Sequence, residues 1–327
     1  MAIQLSDLAR VCVDTHAPYF TTLPFNNNVL IDFAQSHYAD PMGDGPEQAL
    51  SSGLLPIIPP EGGWDKLSVV TDDGDEATEM TEFGAPGPSM SVTDMEAEPG
   101  IISVWIPVEL SGFAQDRIST RPTEYQIGWV RGKFTNAFKK LGDKINSLLL
   151  GSTANGLIGI IDDTVAYGGI DPTVVTLWAS YVEKTGGVVS QEILDNVWYS
   201  VTGADRYASE TDLVWLSPGN QIKRVKNIGD MLTVNSAMVK YTMADGRVLE
   251  LGTQNVSYNQ PFIRVPGMST TDVVLLNTRG AHIQEVRSLQ VVEKPTAGDG
   301  VLYYVAWRGK LVIPEKARSG KAEGLTA

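Results

Sequence analysis

The most regular hydrophobic pattern in the chain lies within residues 121–150. Ile127, Val130, Phe134, Phe138, Leu141, Ile145 and Leu148 recur at steps of three and four, the spacing of one helix face. Pro122 suits a first helical turn, with Thr120 before it as the capping residue and Gly151 where a helix stops. Such a helix would be about 45 Å long. Gly128, Gly132 and Gly142 weaken it by propensity, so packing must hold it as a spine onto which sheets are laid. The alternative is two shorter helices broken near Gly132 or Gly142.

Elsewhere the pattern is shorter-ranged. Residues 1–50 show little periodicity and recurrent prolines (Pro18, Pro24, Pro41, Pro46), which predicts an extended arm. Residues 51–117 read as a long two-stranded excursion, with strands at 66–71 and 101–110. In the second of these, Ile102, Val104, Ile106 and Val108 alternate with Ser103, Trp105, Pro107 and Glu109. After the spine come a glycine-rich turn, an apolar segment from Leu157 to Ile161, and a turn at Tyr167-Gly168-Gly169-Ile170. A short helix capped by Ser190 is expected over 190–200, a buried strand over 213–216 and a basic helix over 221–228. Strands flank a hairpin turn at 244–247 and continue over 261–266, 272–276, 284–292 and 301–312, ahead of a frayed polar tail at 317–327. The pattern describes an α+β protein.

Charge divides the chain unevenly. The net charge of −14 splits into 19 acidic and 3 basic side chains in residues 1–120, and 20 acidic and 22 basic in the remainder. An acidic first third on a near-neutral body argues against a conventional DNA reader, which needs clustered Lys and Arg on phosphates. It fits a chain whose one part lies on another part of a neighbouring copy. The single cysteine, Cys12, leaves no intramolecular disulfide framework. No apolar run approaches the roughly 20 residues that span a bilayer, and residues 1–20 lack a signal core, so a soluble protein used inside a cell is expected.

Little catalytic chemistry is visible. His16, His37 and His282 stand far apart, and neither a zinc spacing nor a nucleophile elbow occurs. The glycines at 151–156 lack the Gly-Lys-Ser/Thr ending of a phosphate cradle. The carboxylates Asp72, Asp73, Asp75 and Glu76 could suggest a calcium loop, but the required ligand ladder is missing, and a solvated acidic loop is the ordinary reading. No cofactor or metal is expected.

The order of elements, with Leu150-Gly151 to Asn155-Gly156-Leu157, Tyr167 to Asp171 leading to Trp178, the helix around Ile193 to Trp198, and Asp212 to Pro218 before a basic helix, resembles the major capsid proteins of tailed bacteriophages with the Hong Kong 97 fold. The local motifs span about half the chain. The resemblance implies an N-terminal arm (1–50), an extended loop (51–117), a peripheral domain with the spine helix (118–172 and 280–327) and an axial domain (173–279). It further implies a structural, non-enzymatic chain. Such chains form pentamers and hexamers of an icosahedral virion shell around double-stranded DNA, assembled in the host cytoplasm. The arm is too short for the fused scaffolding segment of some members, so a separate scaffolding protein is implied, or a segment already removed; a portal and a decoration protein are the further partners the resemblance brings. The acids at 72, 73, 75 and 76 and the basic residues Arg131, Lys133, Lys139, Lys140 and Lys144 are then the expected inter-subunit contacts. The loop has Lys66 alone, at its base, so no covalent crosslink is expected. The competing expectations are an encapsulin-like compartment shell and, from another class, a soluble α+β enzyme.

Overall fold

The computed structural model describes residues 55, 57–58, 67–72, 93–203, 208–209, 212–226, 238–242, 248–252, 254–256, 260–294 and 300–326. The predicted spine is a single helix, α2 (Thr123–Leu149), running unbroken through Gly128, Gly132 and Gly142 for about 40 Å. Its capping differs from expectation. A helix that the sequence pattern did not predict, α1 (Gly112–Ser119), precedes it, and Thr120 closes that helix with its hydroxyl donating to the Arg117 carbonyl at 3.0 Å. Pro122, with extended ψ, is therefore the residue before α2 rather than its first turn. Val130, Phe134, Phe138, Leu141 and Ile145 are buried as predicted, but Ile127 is 37% exposed. It keeps the phase of the apolar face while lying beyond the end of the core.

That core is formed with a four-stranded sheet. Its strands are β1 (Ile57–Ile58), β4 (Ile102–Ser111), β12 (His282–Lys294) and β13 (Gly300–Val312), in the order β1-β12-β13-β4. Alternation in β4 turns Ile102, Val104, Val108 and Leu110 towards α2, and Phe134 meets Tyr303 of β13 edge to face at 5.5 Å. The expected hairpin of 66–71 with 101–110 is thereby overturned, because β4 pairs with β13 along its whole length. The partner of β2 (Leu67–Asp72) is instead β3 (Thr93–Ala97), in a separate two-stranded ribbon.

Past α2, a one-turn helix, α3 (Leu157–Ile160), is fully buried. A 3-10 turn at Thr176–Trp178 then leads to β5 (Tyr181–Glu183) and to α4 (Gln191–Thr202), which is capped as predicted by Ser190, whose hydroxyl accepts from the Ile193 amide. There follow β6 (Leu213–Ser217), α5 (Gly219–Lys226), β7 (Met238–Thr242), β8 (Val248–Gly252), β9 (Gln254–Val256), β10 (Gln260–Arg264), β11 (Val273–Asn277) and β14 (Gly320–Ala322). The hairpin expected around 244–247 is present as the antiparallel pair β7–β8; its turn residues lie outside the described ones, as do the arm at 1–50 and His16, His37 and Cys12. A six-stranded sheet has the order β5-β14-β11-β6-β10-β9; α4 lies against β5 and β14, and its Trp198 and Val197 belong to the same apolar cluster as Trp215 and Phe262. The residues of β11 are buried throughout, as expected of a central strand covered on both faces.

The tail is the largest departure from expectation. Residues 320–322 form a strand inside the six-stranded sheet, and Leu325 is buried, so it is not frayed. Lys321 within it, and Lys316 just before it, are buried on the carbonyls of residues 158–162. Burial pushes the Asp162 carboxyl up, but the Lys321 ammonium at 2.6 Å and the Thr164 donors outweigh it and hold the group near 2. Burial pulls Lys316 down to about 8 against the raising influence of Asp162 and Asp163. Folding then drives a proton off Lys316 between its folded value and the ordinary 10.5. The cost of burying the charge is in full force below pH 8 and disappears as the pH rises through that window. Across it, the native chain should gain stability relative to Lys316→Met. Denaturant titrations giving a pH-independent gap between the two would refute this.

Candidate inter-subunit surface

One side of α2 is used by the core, which leaves the other for whatever lies outside the subunit. Arg131, Lys133, Lys139, Lys140 and Lys144 are all exposed there. Among the described residues, no ion pair involves Lys139, Lys140 or Lys144. Lys140 and Lys144 are four apart, a like-charge pair that costs an isolated helix a few tenths of a kcal/mol. Lys133 rests its ammonium over the Trp129 ring at 5.5 Å, and Arg121 lies 6.0 Å from the Tyr125 ring centroid. Aliphatic stems are thereby pinned along the helix while the charged heads stay in water. The result is a cationic stripe in which Lys139, Lys140 and Lys144 make no ion pair among the described residues.

The ribbon β2–β3 is the second component. At its base Leu67 pairs with Ala97, and at its far end Asp72 pairs with Thr93 past a register shift. The base is seated on the turn at 167–170. Gly168 and Gly169 both have positive φ, as a tight I′-type turn needs, and the Glu98 amide donates to the Gly168 carbonyl at 2.9 Å. A Cβ on Gly168 would stand 2.7 Å from that of Ala97, so glycine sets how closely the ribbon seats. Of the acidic candidates, Asp72 lies at the ribbon's far end, while Asp73, Asp75 and Glu76 are outside the described residues. Among the described candidates, the basic ones sit on α2 and Asp72 on the ribbon.

A third feature escaped the charge-based reading. The outward face of the four-stranded sheet carries Trp105, which is 60% exposed and meets Tyr304 edge to face at 5.2 Å, with the Lys294 ammonium 4.9 Å from the Tyr304 ring. Phe113 of α1 is 79% exposed. The alternation in β4 already assigned Trp105 to the outward face; charge alone gave no reason to single it out. Exposed aromatics flanked by a cation are the composition of interface hot spots. Among the described residues, no group of three or more His, Cys, Asp or Glu could hold a metal ion, and no helix is long and apolar enough to cross a membrane.

No protein-family model and no curated protein matches the chain. Solved structures do. The Cyanophage A-1(L) capsid asymmetric unit superposes with a TM-score of 0.60 at 15% identity, covering 83% of this chain and 90% of that one. The holo-SrpI encapsulin complex from Synechococcus elongatus gives 0.52 at 14% identity, over 86% and 89%. A structure from Mycobacterium phage Patience gives 0.52 at 9% identity, over 98% and 89%. The architecture shared with these structures is the Hong Kong 97-like capsid fold, an α+β fold, as the order of elements in the sequence had suggested.

Proposed function

We propose that this chain is the building block of a closed protein shell, a major capsid protein whose identical copies form pentamers and hexamers of an icosahedral virion enclosing double-stranded DNA. One observation carries the reading: the fold matches capsid and compartment shells over most of both chains. A net acidic chain suits a wall that must not grip its cargo tightly. On this reading the role is structural rather than catalytic. Assembly takes place in the host cytoplasm with a separate scaffolding protein, and a portal and a decoration protein complete the partners.

The division of labour follows the two sheets. The peripheral domain comprises α2 and the four-stranded sheet, that is residues 118–172 and 280–327 together with β4 and α1. The axial domain comprises residues 173–279 on the six-stranded sheet, into which the peripheral chain sends β14. Residues 1–50 are the arm, and the stretch from 51 to Ala97 the extended loop, whose β1, alone among its described strands, joins the peripheral sheet beside β12. The acids at 72, 73, 75 and 76 meet the stripe Arg131, Lys133, Lys139, Lys140 and Lys144 of a neighbouring copy.

Size-exclusion light scattering followed by negative-stain microscopy tests the reading. Closed shells, or discrete pentamers and hexamers that close when scaffold is added, are expected. A strictly monomeric 35.4 kDa species that never assembles, with or without lysate, would sink it and favour an enzyme with a dispersed site. The encapsulin match gives a second reading within the same fold, a compartment that holds enzymes. Protein cargo in place of nucleic acid inside purified particles decides for it.

A further inference from the structure

The sequence holds a single Asn-Gly pair, Asn155-Gly156, in the turn that carries the chain from α2 into α3. Asparagine before glycine leaves the following backbone nitrogen least shielded, because glycine has no Cβ and the widest choice of φ and ψ. In a free chain that nitrogen attacks the asparagine side chain. The Gly156 nitrogen bonds to the Asn155 Cγ, the Cγ–Nδ2 bond breaks, and ammonia leaves with the proton that the Gly156 nitrogen gave up. Water then opens the five-membered ring at one carbonyl or the other. One product is an aspartyl chain. The other, isoaspartyl, routes the backbone through Cβ and Cγ and is one main-chain atom longer.

The fold leaves no choice about Gly156. A Cβ there would stand 2.6 Å from the Leu148 carbonyl oxygen and closer still to that of Gly151, both backbone at the end of α2. The hazard is therefore built into the turn, and the same turn suppresses it. The buried Gly156 amide donates to the Thr153 carbonyl at 2.9 Å, a hydrogen bond that ring closure must break. The Asn155 side chain is wedged against Gly100, where a Cβ would come within 2.8 Å of its Cγ and Nδ2. Both reactants would have to turn, one away from Thr153 and the other away from Gly100.

The two products affect this turn differently. Aspartate has the shape of asparagine, and residue 155 is only half-buried, so the new charge keeps contact with water. The isoaspartyl chain instead places an extra atom inside two closed hydrogen-bonded loops, Gly156 to Thr153 and Gly159 to Gly151 at 3.2 Å. Displacing them moves the Ile158 and Ile160 carbonyls on which the buried ammonium groups of Lys321 and Lys316 rest. A buried cation deprived of its acceptor is among the few causes of severe destabilisation.

We propose that Asn155 is a deamidation site that folding closes, and that refolding sorts its products: aspartyl chains return to the native state and isoaspartyl chains do not. Each passage through the unfolded state thus removes some chains for good. The property belongs to the single chain and is independent of shell formation.

The full chain, native in buffer and in parallel unfolded in guanidinium, is held at mildly alkaline pH and digested, and the peptide spanning residue 155 is followed by mass spectrometry. Both acid products should accumulate in the unfolded chain, while the native chain converts at least about 100-fold more slowly, because reaction waits for opening. After the guanidinium is removed, aspartyl chains should appear in the soluble, protease-resistant fraction and isoaspartyl chains outside it. Asn155→Asp should refold as the native chain does, which separates the lengthened backbone from the added charge. Equal conversion of native and unfolded chains, no conversion in guanidinium, or isoaspartyl chains recovered in the native fraction at their starting proportion would overturn the proposal. So would failure of Asn155→Asp to fold, since the charge alone would then exclude both products.

Discussion

Gly159→Ala should lose about 3 kcal/mol of stability, at the upper end of overpacking costs, whereas Gly132→Ala should gain about 0.5–1 kcal/mol. The chemistry of the two changes is identical and the surroundings reverse its sign. Gly159 lies in the buried turn of α3, where a Cβ would overlap the Thr153 carbonyl oxygen and crowd that of Ser152. Those atoms are backbone of the turn that reverses the chain after α2, and the Gly159 amide itself donates to the Gly151 carbonyl at 3.2 Å. The turn cannot give without displacing the carbonyls on which Lys316 and Lys321 rest. At Gly132 a Cβ meets nothing within 4 Å. There alanine removes backbone freedom from the unfolded chain and adds helix propensity at no steric cost. Chemical denaturation of the three chains, followed by circular dichroism, measures both signs. Equal stability of Gly159→Ala and the native chain would mean that the turn relaxes and does not position the lysines' carbonyls.

Much of this architecture can be read directly from residue order, and the exceptions share physical causes. The 3–4 spacing from Val130 to Ile145 specified α2 because a long apolar stripe has one solution. Ile127 continues that spacing but is exposed, since periodicity reports phase and not where the facing sheet ends. The strand Thr93–Ala97 is poor in β-formers and exists through its pairing with 67–72, which no local signal announces. The polar stretch 317–327 was expected to fray, yet Lys321 in it and Lys316 beside it are buried. Their burial depends on carbonyls more than 150 positions away in sequence. For the candidate surface, the basic stripe was legible because charges opposite an apolar helix face must point outwards. Trp105 was legible only as a position in an alternation, and its exposure needed the sheet.

If the chain builds a shell as proposed, neutralising the stripe should slow assembly more than it weakens the finished particle. In Lys139→Gln/Lys140→Gln/Lys144→Gln, three exposed cations of α2 that make no ion pair among the described residues are removed, Lys133 stays over Trp129, and the core face of Leu141 and Ile145 is untouched. Charges at the rim of a contact act at a distance, raising encounter rates by about 10- to 1,000-fold in favourable cases. Buried apolar contacts made after docking set most of the final affinity. The triple variant, and separately the neutralised acids at 72, 73, 75 and 76, should therefore show an initial rate about tenfold lower by light scattering at low salt. The deficit should shrink as salt rises, because at 0.15 M the screening length is already about 8 Å. Exchanging the signs on both elements at once should restore the rate, which a general loss of solubility or stability cannot do. Unchanged kinetics in the acid-neutralised chain would remove the loop from this contact. A rate that falls when the cations are removed, but is not recovered by the exchange, would assign α2 a different anionic partner.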